Sequence, residues 1–298
     1  MKFVTFLHKD ERRAGVVEGQ AVIDVQQAER QKMGDVTLSD DLLSWIEEDS
    51  LSRVKEVVDW ARDRNEGTFL IPLNEVELTA PIPRPRKNIF CIGKNYVDHA
   101  KELGSEADIP DHPLVFSKPP TTVIGTETPV LLHTKVTDFL DYEGELAVVI
   151  GKTGKGITKE KAYDHVFGYT IINDISARDI QSRHKQFLLG KSLDTACPMG
   201  PFIVDKSEIR DPQKLQLETK VNGEVRQSAN TELMIFDIPT LIETISAGTT
   251  LEAGDIIATG TPAGVGKGMK PPQNLKADDV IEITVEDIGT LKNPVSAG

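Results

Sequence analysis

The sequence has little of what several common protein classes require. Its 298 residues include only two cysteines, Cys91 and Cys197, which stand far apart and form no CxxC pair. A disulfide framework and a cysteine zinc site are therefore not indicated, and both thiols are expected to be buried. The sequence also contains no Walker loop, no GxGxxG after a strand, no GxSxG and no HExxH. Their absence removes the commonest nucleotide-binding, serine hydrolase and metalloprotease interpretations.

Long apolar runs and basic residues are scarce as well. No apolar run approaches the ~20 residues of a membrane-spanning helix, and residues 1–8 lack the long apolar segment of a signal peptide. We therefore expect a cytoplasmic protein with no membrane partner. Lys and Arg number 34 against 47 Asp and Glu, which leaves a formal net charge of −13. This balance argues against nucleic acid as a partner, so any attraction for an anionic substrate has to be local.

The length and composition are those of a globular protein of about two domains, with 39% hydrophobic and 27% charged residues. Residues 2–7 and 14–24 predict short strands, and apolar residues at helical spacing over 38–46 and 51–61 predict two amphipathic helices. Alternate prolines in Pro81–Pro85 disfavour both helix and central strand. We therefore predict a small α+β domain over residues 1–80 and a second domain over residues 81–298.

Strand signals dominate the second part of the chain. They lie at 88–92, 114–116, 129–132, 144–150, 169–172, 202–204, 255–259 and 280–285. Asn222-Gly223 predicts a hairpin turn, and Asp237 with Pro239 predicts the start of a helix. Because helices interrupt the strands without a βαβ rhythm, the predicted class is α+β and mostly β, a mixed and largely antiparallel roll or sandwich.

Two acids interrupt the most strand-like stretch, Asp141–Ile150. Apolar residues recur there with period two, so Glu143 and Glu145 share one face. Two carboxylates on a half-buried strand repel each other and lose hydration, so a cation is expected between them, and oxygen ligands favour magnesium, manganese or calcium. The alternative is an edge strand with two solvated acids.

Further polar residues follow the strand predicted at 169–172. Asp174 closes it, where it can complete a site begun by the two glutamates or can serve as an ordinary turn residue. Arg178, Gln181 and Lys191 then offer anion-binding groups, unless they are solvated surface side chains.

A separate pair could move protons. His99 and Glu102 are spaced i, i+3 on a short predicted helix, where the acid can orient the imidazole for water activation or proton transfer. A plain surface pair is the alternative. The stretch Gly260–Lys267 fails the phosphate-loop spacing and is explained by a glycine-rich turn after the strand at 255–259.

Together these motifs resemble the fumarylacetoacetate hydrolase family. The resemblance runs from about Pro81 to the C-terminus and is carried, in the family's order, by Ile92-Gly-Lys-Asn-Tyr96 with His99 and Glu102, Asp141-Tyr-Glu-Gly-Glu-Leu146, Asn173-Asp-Ile-Ser-Ala-Arg-Asp179 with Gln181, Lys191-Ser192 and Thr259-Gly-Thr-Pro262. The N-terminal unit makes the chain most similar to the two-domain bacterial branch that includes oxaloacetate decarboxylases. A mixed β-roll of the family's C-terminal type, paired as a homodimer, is the fold that this resemblance implies.

The resemblance also implies roles for individual residues. Glu143, Glu145 and Asp174 would hold one Mg²⁺ or Mn²⁺, and Lys191 would neutralise developing enolate charge. Gln181 and Thr261 would contact substrate, with Arg178 as a further anion-binding group, and His99 with Glu102 would form a dyad on a mobile lid. Lys94 is a further predicted substrate-binding residue, at a position where many family members have arginine. Lysine gives up bidentate recognition of a substrate carboxylate.

These assignments predict metal-dependent cleavage of a C–C bond in a small anionic 2-oxo acid. Oxaloacetate decarboxylation to pyruvate and CO₂ is the favoured reaction, because the closest resemblance points to it. Hydrolysis of an acylpyruvate or fumarylpyruvate by His99-activated water is the alternative. A non-catalytic binding protein with a vestigial site is a third possibility, which the full set of acids, dyad and lysine argues against.

Overall fold

The computed structural model describes residues 1–64 and 66–297 and is rich in strands, with helices interspersed. The predicted mixed, mostly β class is confirmed. The strands are β1 (Lys2–His8), β2 (Glu11–Glu18), β3 (Ala21–Asp24), β4 (Leu70–Pro72), β5 (Glu77–Leu78), β6 (Ile89–Gly93), β7 (Leu114–Lys118), β8 (Val123–Ile124), β9 (Val130–Leu131), β10 (Leu140–Asp141), β11 (Gly144–Ile150), β12 (Val166–Asn173), β13 (Ser176–Ala177), β14 (Cys197–Asp205), β15 (Gln216–Val221), β16 (Glu224–Asn230), β17 (Ile256–Ala258), β18 (Val280–Val285) and β19 (Gly289–Ser296). The α-helices are α1 (Val25–Met33), α2 (Leu42–Glu47), α3 (Leu51–Arg62), α4 (Val97–Glu102), α5 (Arg178–His184) and α6 (Ile238–Ser246).

Two large sheets organise these elements. The larger has the order β4-β3-β2-β1-β14-β12-β11-β17-β6-β7, with β5 beside β1 and β8 beside β14. The second has the order β16-β15-β18-β19-β9, and β10 pairs with β13 alone. Most pairs are antiparallel, whereas β17 with β6, β14 with β8 and β19 with β9 are parallel. This arrangement matches the predicted mixed and largely antiparallel sheet.

Strand β11 lies in the interior of the larger sheet, between β12 and β17. Its period-two pattern separates two apolar cores: Leu146, Val148 and Ile150 belong to one cluster, and Ala147 and Val149 to the other. All seven residues of β11 are buried. The alternative of an edge strand with solvated acids is therefore wrong.

The N-terminal strands extend the same sheet instead of forming one of their own. Lys2 and Phe3 pair with Val204 and Ile203 of β14, and the ring of Phe3 lies 5.1 Å from that of Phe167. One apolar cluster contains residues from both sides of the predicted boundary. The division at residue 81 remains a prediction, and hydrogen bonds and apolar packing cross it.

Local signals account for several element ends. The Asp237 side chain accepts a hydrogen bond from the Thr240 amide at the start of α6, as predicted. The turn at Asn222-Gly223 joins β15 to β16, also as predicted. Helix α1 was missed because its sequence is mostly polar and shows no wide apolar stripe. Its ends are nevertheless marked, since Asp24 caps the Gln27 amide and Gly34 ends the helix at φ 81°.

The two cysteines are buried, and burial raises the pKa of the Cys197 thiol to about 12. Of the helices in residues 1–64 and 66–297, none has both the length and the apolar character for crossing a bilayer.

Candidate metal centre and proton-transfer dyad

The two glutamates and Asp174 meet where two neighbouring strands end. Gly144 at the start of β11 pairs with Asn173 at the end of β12, so the residues just beyond them, Glu143 and Asp174, lie side by side. The Asp174 amide donates to the Glu143 carbonyl at 2.8 Å. Carboxylate oxygens of Glu143, Glu145 and Asp174 lie within 4.8 Å of one another, and all three residues are buried. The antiparallel register thus brings three acids to one point.

Three buried cations surround these acids. The Lys191 ammonium lies 2.6 Å from Glu143 Oε2 and 2.7 Å from Asp174 Oδ2. Lys118 lies 2.8 Å from Asp174 Oδ1 and donates to the Ile175 carbonyl at 3.0 Å. The Arg178 guanidinium bridges Glu143 at 2.7 Å and Asp141 at 2.8 Å. With Asp141 included, four acids face three cations.

The two glutamates differ in their electrostatic surroundings. Burial would raise the pKa of Glu143, but the charges of Lys191 and Arg178 outweigh it and hold that pKa well below its usual range. Burial raises the pKa of Glu145 well above its usual range, and the negative charges of Asp174 and Glu143 act in the same direction. The hydrogen bond from the Gly260 amide to Glu145 Oε2, at 2.8 Å, only partly opposes this. Glu145 is the acid that most needs a further cation.

This imbalance fits a divalent metal ion. Three buried carboxylates supply oxygen donors of the kind that Mg²⁺ and Mn²⁺ prefer. A bound cation would favour the ionised form of Glu145, which the protein alone disfavours. Glu143, Glu145 and Asp174 are the described residues that could hold it.

His99 and Glu102 form the predicted pair on α4. His99 Nδ1–H donates to Glu102 Oε1 at 2.8 Å, and His99 is only 4% exposed. The other carboxylate oxygen of Glu102 accepts a hydrogen bond from the Gly264 amide at 2.9 Å. Because a carboxylate only accepts hydrogen bonds, Nε2 is left as the basic nitrogen of the neutral ring. The geometry favours the dyad over a plain surface pair.

One cavity connects His99 of the dyad with Glu143, one of the three acids. Its volume is about 50 Å³, so a ligand larger than a few atoms needs the site to open further. Seven of the predicted site residues line this cavity: Lys94, His99, Glu143, Arg178, Gln181, Lys191 and Thr261. Glu102 is not among the lining residues. The structure thus brings residues from four distant stretches of the chain to one place.

Three of the predicted substrate contacts already have partners within the protein. Lys94 forms an ion pair with Asp108 at 3.1 Å. The Gln181 amide oxygen accepts from Arg178 Nη1 at 3.4 Å. The Thr261 hydroxyl donates to the Gly144 carbonyl at 3.0 Å and accepts from Gln227 Nε2 at 2.7 Å. All three line the cavity, and their substrate contacts stay predictions.

Sequence reasoning missed several residues that organise the site. Lys118 lies at the end of β7, two residues beyond the strand predicted at 114–116, and it is completely buried, although lysine is mostly exposed in proteins. Asp141 is the first residue of the strand-like stretch Asp141–Ile150, but no role was predicted for it. The loop after Thr261 was also missed, and the sequence signal that could have pointed to it is the regular spacing of Gly264, Gly266 and Gly268.

Comparison with known proteins was made for the sequence and for the fold. Residues 88–296 match the family model for the C-terminal domain of fumarylacetoacetate hydrolase. The chain is 57% identical over 284 residues, 94% of each chain, to the oxaloacetate tautomerase YisK of Bacillus subtilis (strain 168). A fumarylacetoacetate hydrolase from psychrophilic Exiguobacterium antarcticum is 42% identical, with a TM-score of 0.82 over 100% of both chains. Maleylpyruvate hydrolase from Sphingobium sp. SYK-6, in complex with manganese(II) and pyruvate, is 31% identical, with a TM-score of 0.78 over 99% of both.

Proposed function

The chain belongs to the fumarylacetoacetate hydrolase family, and on that premise we propose that it is a metal-dependent enzyme that interconverts the keto and enol forms of oxaloacetate. The observation that carries this proposal is the hydrogen bond between the buried His99 and the half-buried Glu102, because the His99 imidazole lines the same cavity as Lys191 and Glu143. Moving a proton on a small 2-oxo acid needs a positioned base beside a place where negative charge is stabilised. The relative that is 57% identical is an oxaloacetate tautomerase, which supports the same reaction.

Mg²⁺ or Mn²⁺ is the cofactor that we propose. Glu143, Glu145 and Asp174 would hold it, and the manganese(II) complex of maleylpyruvate hydrolase supports this assignment. When bound, the ion would supply Lewis acidity at the adjacent keto and carboxylate oxygens of a 2-oxo acid.

The chain's own residues then have separable tasks. His99 Nε2 takes the proton from C3 of the keto form, and the imidazolium returns a proton to the C2 oxygen, so the reaction is an isomerisation without a net reagent. Glu102 holds the ring in the tautomer that leaves Nε2 basic. Burial would lower the pKa of Lys191, but Asp174 and Glu143 raise it to about 12. Lys191 therefore stays a cation and favours negative charge on the substrate.

Oxaloacetate decarboxylation, which the sequence predicts, is the second candidate. The loss of CO₂ leaves an enolate on the same two carbon atoms and requires no base. The buried cation Lys191, held by two acids independently of α4, is the observation that favours it. Acylpyruvate hydrolysis remains the third reaction, and the 31% identical maleylpyruvate hydrolase supports it.

The test follows the enol of oxaloacetate spectroscopically and its CO₂ release in parallel, with Mg²⁺ and with Mn²⁺. Wild-type enzyme should accelerate ketonisation above the buffer rate. We expect His99→Gln to lose roughly 10²- to 10⁴-fold of that acceleration, the usual contribution of a general base, and to retain most decarboxylation. Lys191→Met should damage both reactions.

A wild-type enzyme that leaves the enol at its buffer rate would overturn the tautomerase proposal. A panel of 2-oxo and 2,4-dioxo acids then assigns the activity. Faster turnover of acetylpyruvate or fumarylpyruvate than of oxaloacetate would identify the enzyme as an acylpyruvate hydrolase instead.

The partner we propose, besides a small anionic 2-oxo acid, is a second copy of the chain. Strand β7 is the edge of the larger sheet, and Val115 on it is 44% exposed. A mass in solution of twice 32.8 kDa would support a homodimer, and a mass of one chain would contradict it.

A further inference from the structure

The glycine-rich stretch that the sequence explains as a simple turn binds two carboxylates, the buried Asp141 and the half-buried Glu102. We name residues Gly264 to Gly268 the glycine loop. The Gly264 amide donates to Glu102 Oε2 at 2.9 Å. The Gly266 and Lys267 amides donate to Asp141 at 2.7 and 3.0 Å. Three backbone amides of this loop therefore bind two acids: Glu102 of the dyad, and Asp141, which pairs with Arg178 beside the candidate metal ligands.

We infer that the glycine loop is a positioning element of the reaction centre and that Gly268 is the residue that seats Glu102 against His99. A Cβ atom at residue 268 would lie 2.4 Å from Glu102 Oε2, 2.8 Å from Cδ and 3.1 Å from Cγ. Only a residue without a side chain therefore leaves room for the Glu102 carboxylate where it meets both the imidazole and the Gly264 amide. The expected effect of Gly268 on catalysis rests on the proposed function, whereas its effect on the position of the Glu102 carboxylate does not.

The contacts at the three glycines make Gly268 the informative position. At Gly264 the backbone has φ 106° and a Cβ would lie 1.9 Å from the Arg226 carbonyl oxygen. At Gly266 a Cβ would lie 1.9 Å from the Gln273 carbonyl oxygen. Both collisions involve backbone, so alanine there would disturb the fold. At Gly268 the obstructing atoms are the end of a flexible side chain, so alanine should fold normally and displace the carboxylate.

The Gly266 and Lys267 amides of the loop act on the candidate metal site through Asp141. Asp141 accepts from the loop and from Arg178 Nε, and Arg178 Nη1 in turn contacts Glu143. Gly268 is not part of this series of contacts, because the three atoms nearest to a Cβ at residue 268 all belong to Glu102. A change at residue 268 should therefore separate the dyad from the metal site.

The experiment compares Gly268→Ala with Gly248→Ala, a matched control whose Cβ would meet nothing within 4 Å. In metal-free protein, the ¹⁵N chemical shifts of the His99 ring at fixed pH, assigned with His99→Gln, report the hydrogen bond to Glu102. We expect Gly268→Ala to change these shifts toward those of Glu102→Ala. Gly248→Ala should leave them unchanged, and Tm and Mn²⁺ affinity should stay at the wild-type values in both variants.

The kinetic arm tests whether the residue acts through Glu102. A displaced catalytic group typically costs about 10²-fold, so Gly268→Ala should lower kcat for ketonisation by roughly that factor with little change in KM. In a Glu102→Ala background the same substitution should cost nothing further, because coupled residues are not additive. Altered His99 shifts without any enzyme-accelerated ketonisation in wild type would support the seating and refute only the proposed reaction. Wild-type His99 shifts in Gly268→Ala, or the same loss of kcat with and without Glu102, would overturn the inference.

Discussion

At Glu145, burial and two neighbouring carboxylates act in the same direction, and both raise its pKa. A metal ion binds the ionised carboxylate, so binding must release the proton wherever the pH lies below that pKa. The apparent Mn²⁺ affinity should therefore rise with pH, about tenfold per unit for one proton, and level off above the Glu145 pKa. Glu143 should release none in the neutral range, because Lys191 and Arg178 keep its pKa low.

Titration calorimetry of Mn²⁺ in buffers of different ionisation enthalpy counts the released protons. About one proton should be released on the acidic side of the Glu145 pKa and none above it. Proton-free binding with a pH-independent affinity would show that Glu145 is already ionised in the metal-free protein.

Lys118 is the second residue whose environment sets a measurable effect. It is completely buried beside Asp174 Oδ1, so Lys118→Met would leave that oxygen without its partner. Breaking a buried ion pair in this way costs about 3–5 kcal/mol, and losing a partner of a metal ligand weakens metal binding roughly 10- to 100-fold. Thermal unfolding and Mn²⁺ titration measure the two effects.

Lys220→Met is the control, because Lys220 and Glu218 form an ion pair that solvent screens, and such pairs contribute little to stability. If Lys118→Met behaved like Lys220→Met in both measurements, Lys118 would have no part in holding Asp174.

At the scale of elements, the predicted mobile lid corresponds to α4 and the segment that follows it. Its start is pinned, since the Asn95 side chain donates to the Phe236 and Thr259 carbonyls at 3.0 and 2.7 Å. Beyond it, helix α4 has six residues, of which His99 and Ala100 are buried, and Glu102 at its end accepts a hydrogen bond from the glycine loop. We therefore place the hinge of the predicted lid just after Asn95.

Hydrogen exchange over residues 97–110 should slow when oxalate, an enolpyruvate mimic, is added with Mn²⁺, because closure over a ligand protects the segment. Helix α6, whose apolar face is buried in the core, should show no change. Equal exchange over 97–110 with and without saturating oxalate would count against a mobile lid.

At the scale of the whole molecule, the continuous sheet predicts that the chain unfolds as one unit. Both tryptophans, Trp45 and Trp60, lie in the first 80 residues, whereas the three acids of the proposed metal site lie beyond residue 140. Their fluorescence and the release of Mn²⁺ therefore report opposite sides of the predicted boundary. Because β1 pairs with β14 and one apolar cluster spans both sides, the two signals should change at the same denaturant concentration. Two separated transitions would establish residues 1–80 as an independent domain.

Short-range patterns in the sequence determined much of this protein. Period two in β11 assigned Leu146, Val148 and Ile150 to one face and the glutamates to the other, because alternation is a property of every extended strand. The spacing of His99 and Glu102 likewise follows from helix geometry alone, and their 2.8 Å contact agrees with it. Strands such as β6, β12 and β18, the hairpin at Asn222 and helix α6 were predictable for the same reason, whereas β19 and several two-residue strands were missed.

What only the tertiary structure decided is which distant residues meet. The register of β11 against β12 places Glu143 beside Asp174, and the interior position of β11 removes the solvent that an edge strand would offer its acids. No sequence pattern singled out Lys118, and the glycine loop was interpreted as a turn. Strand order and loop placement depend on how two apolar cores pack around one sheet, over separations of a hundred residues and more, and no local pattern encodes them.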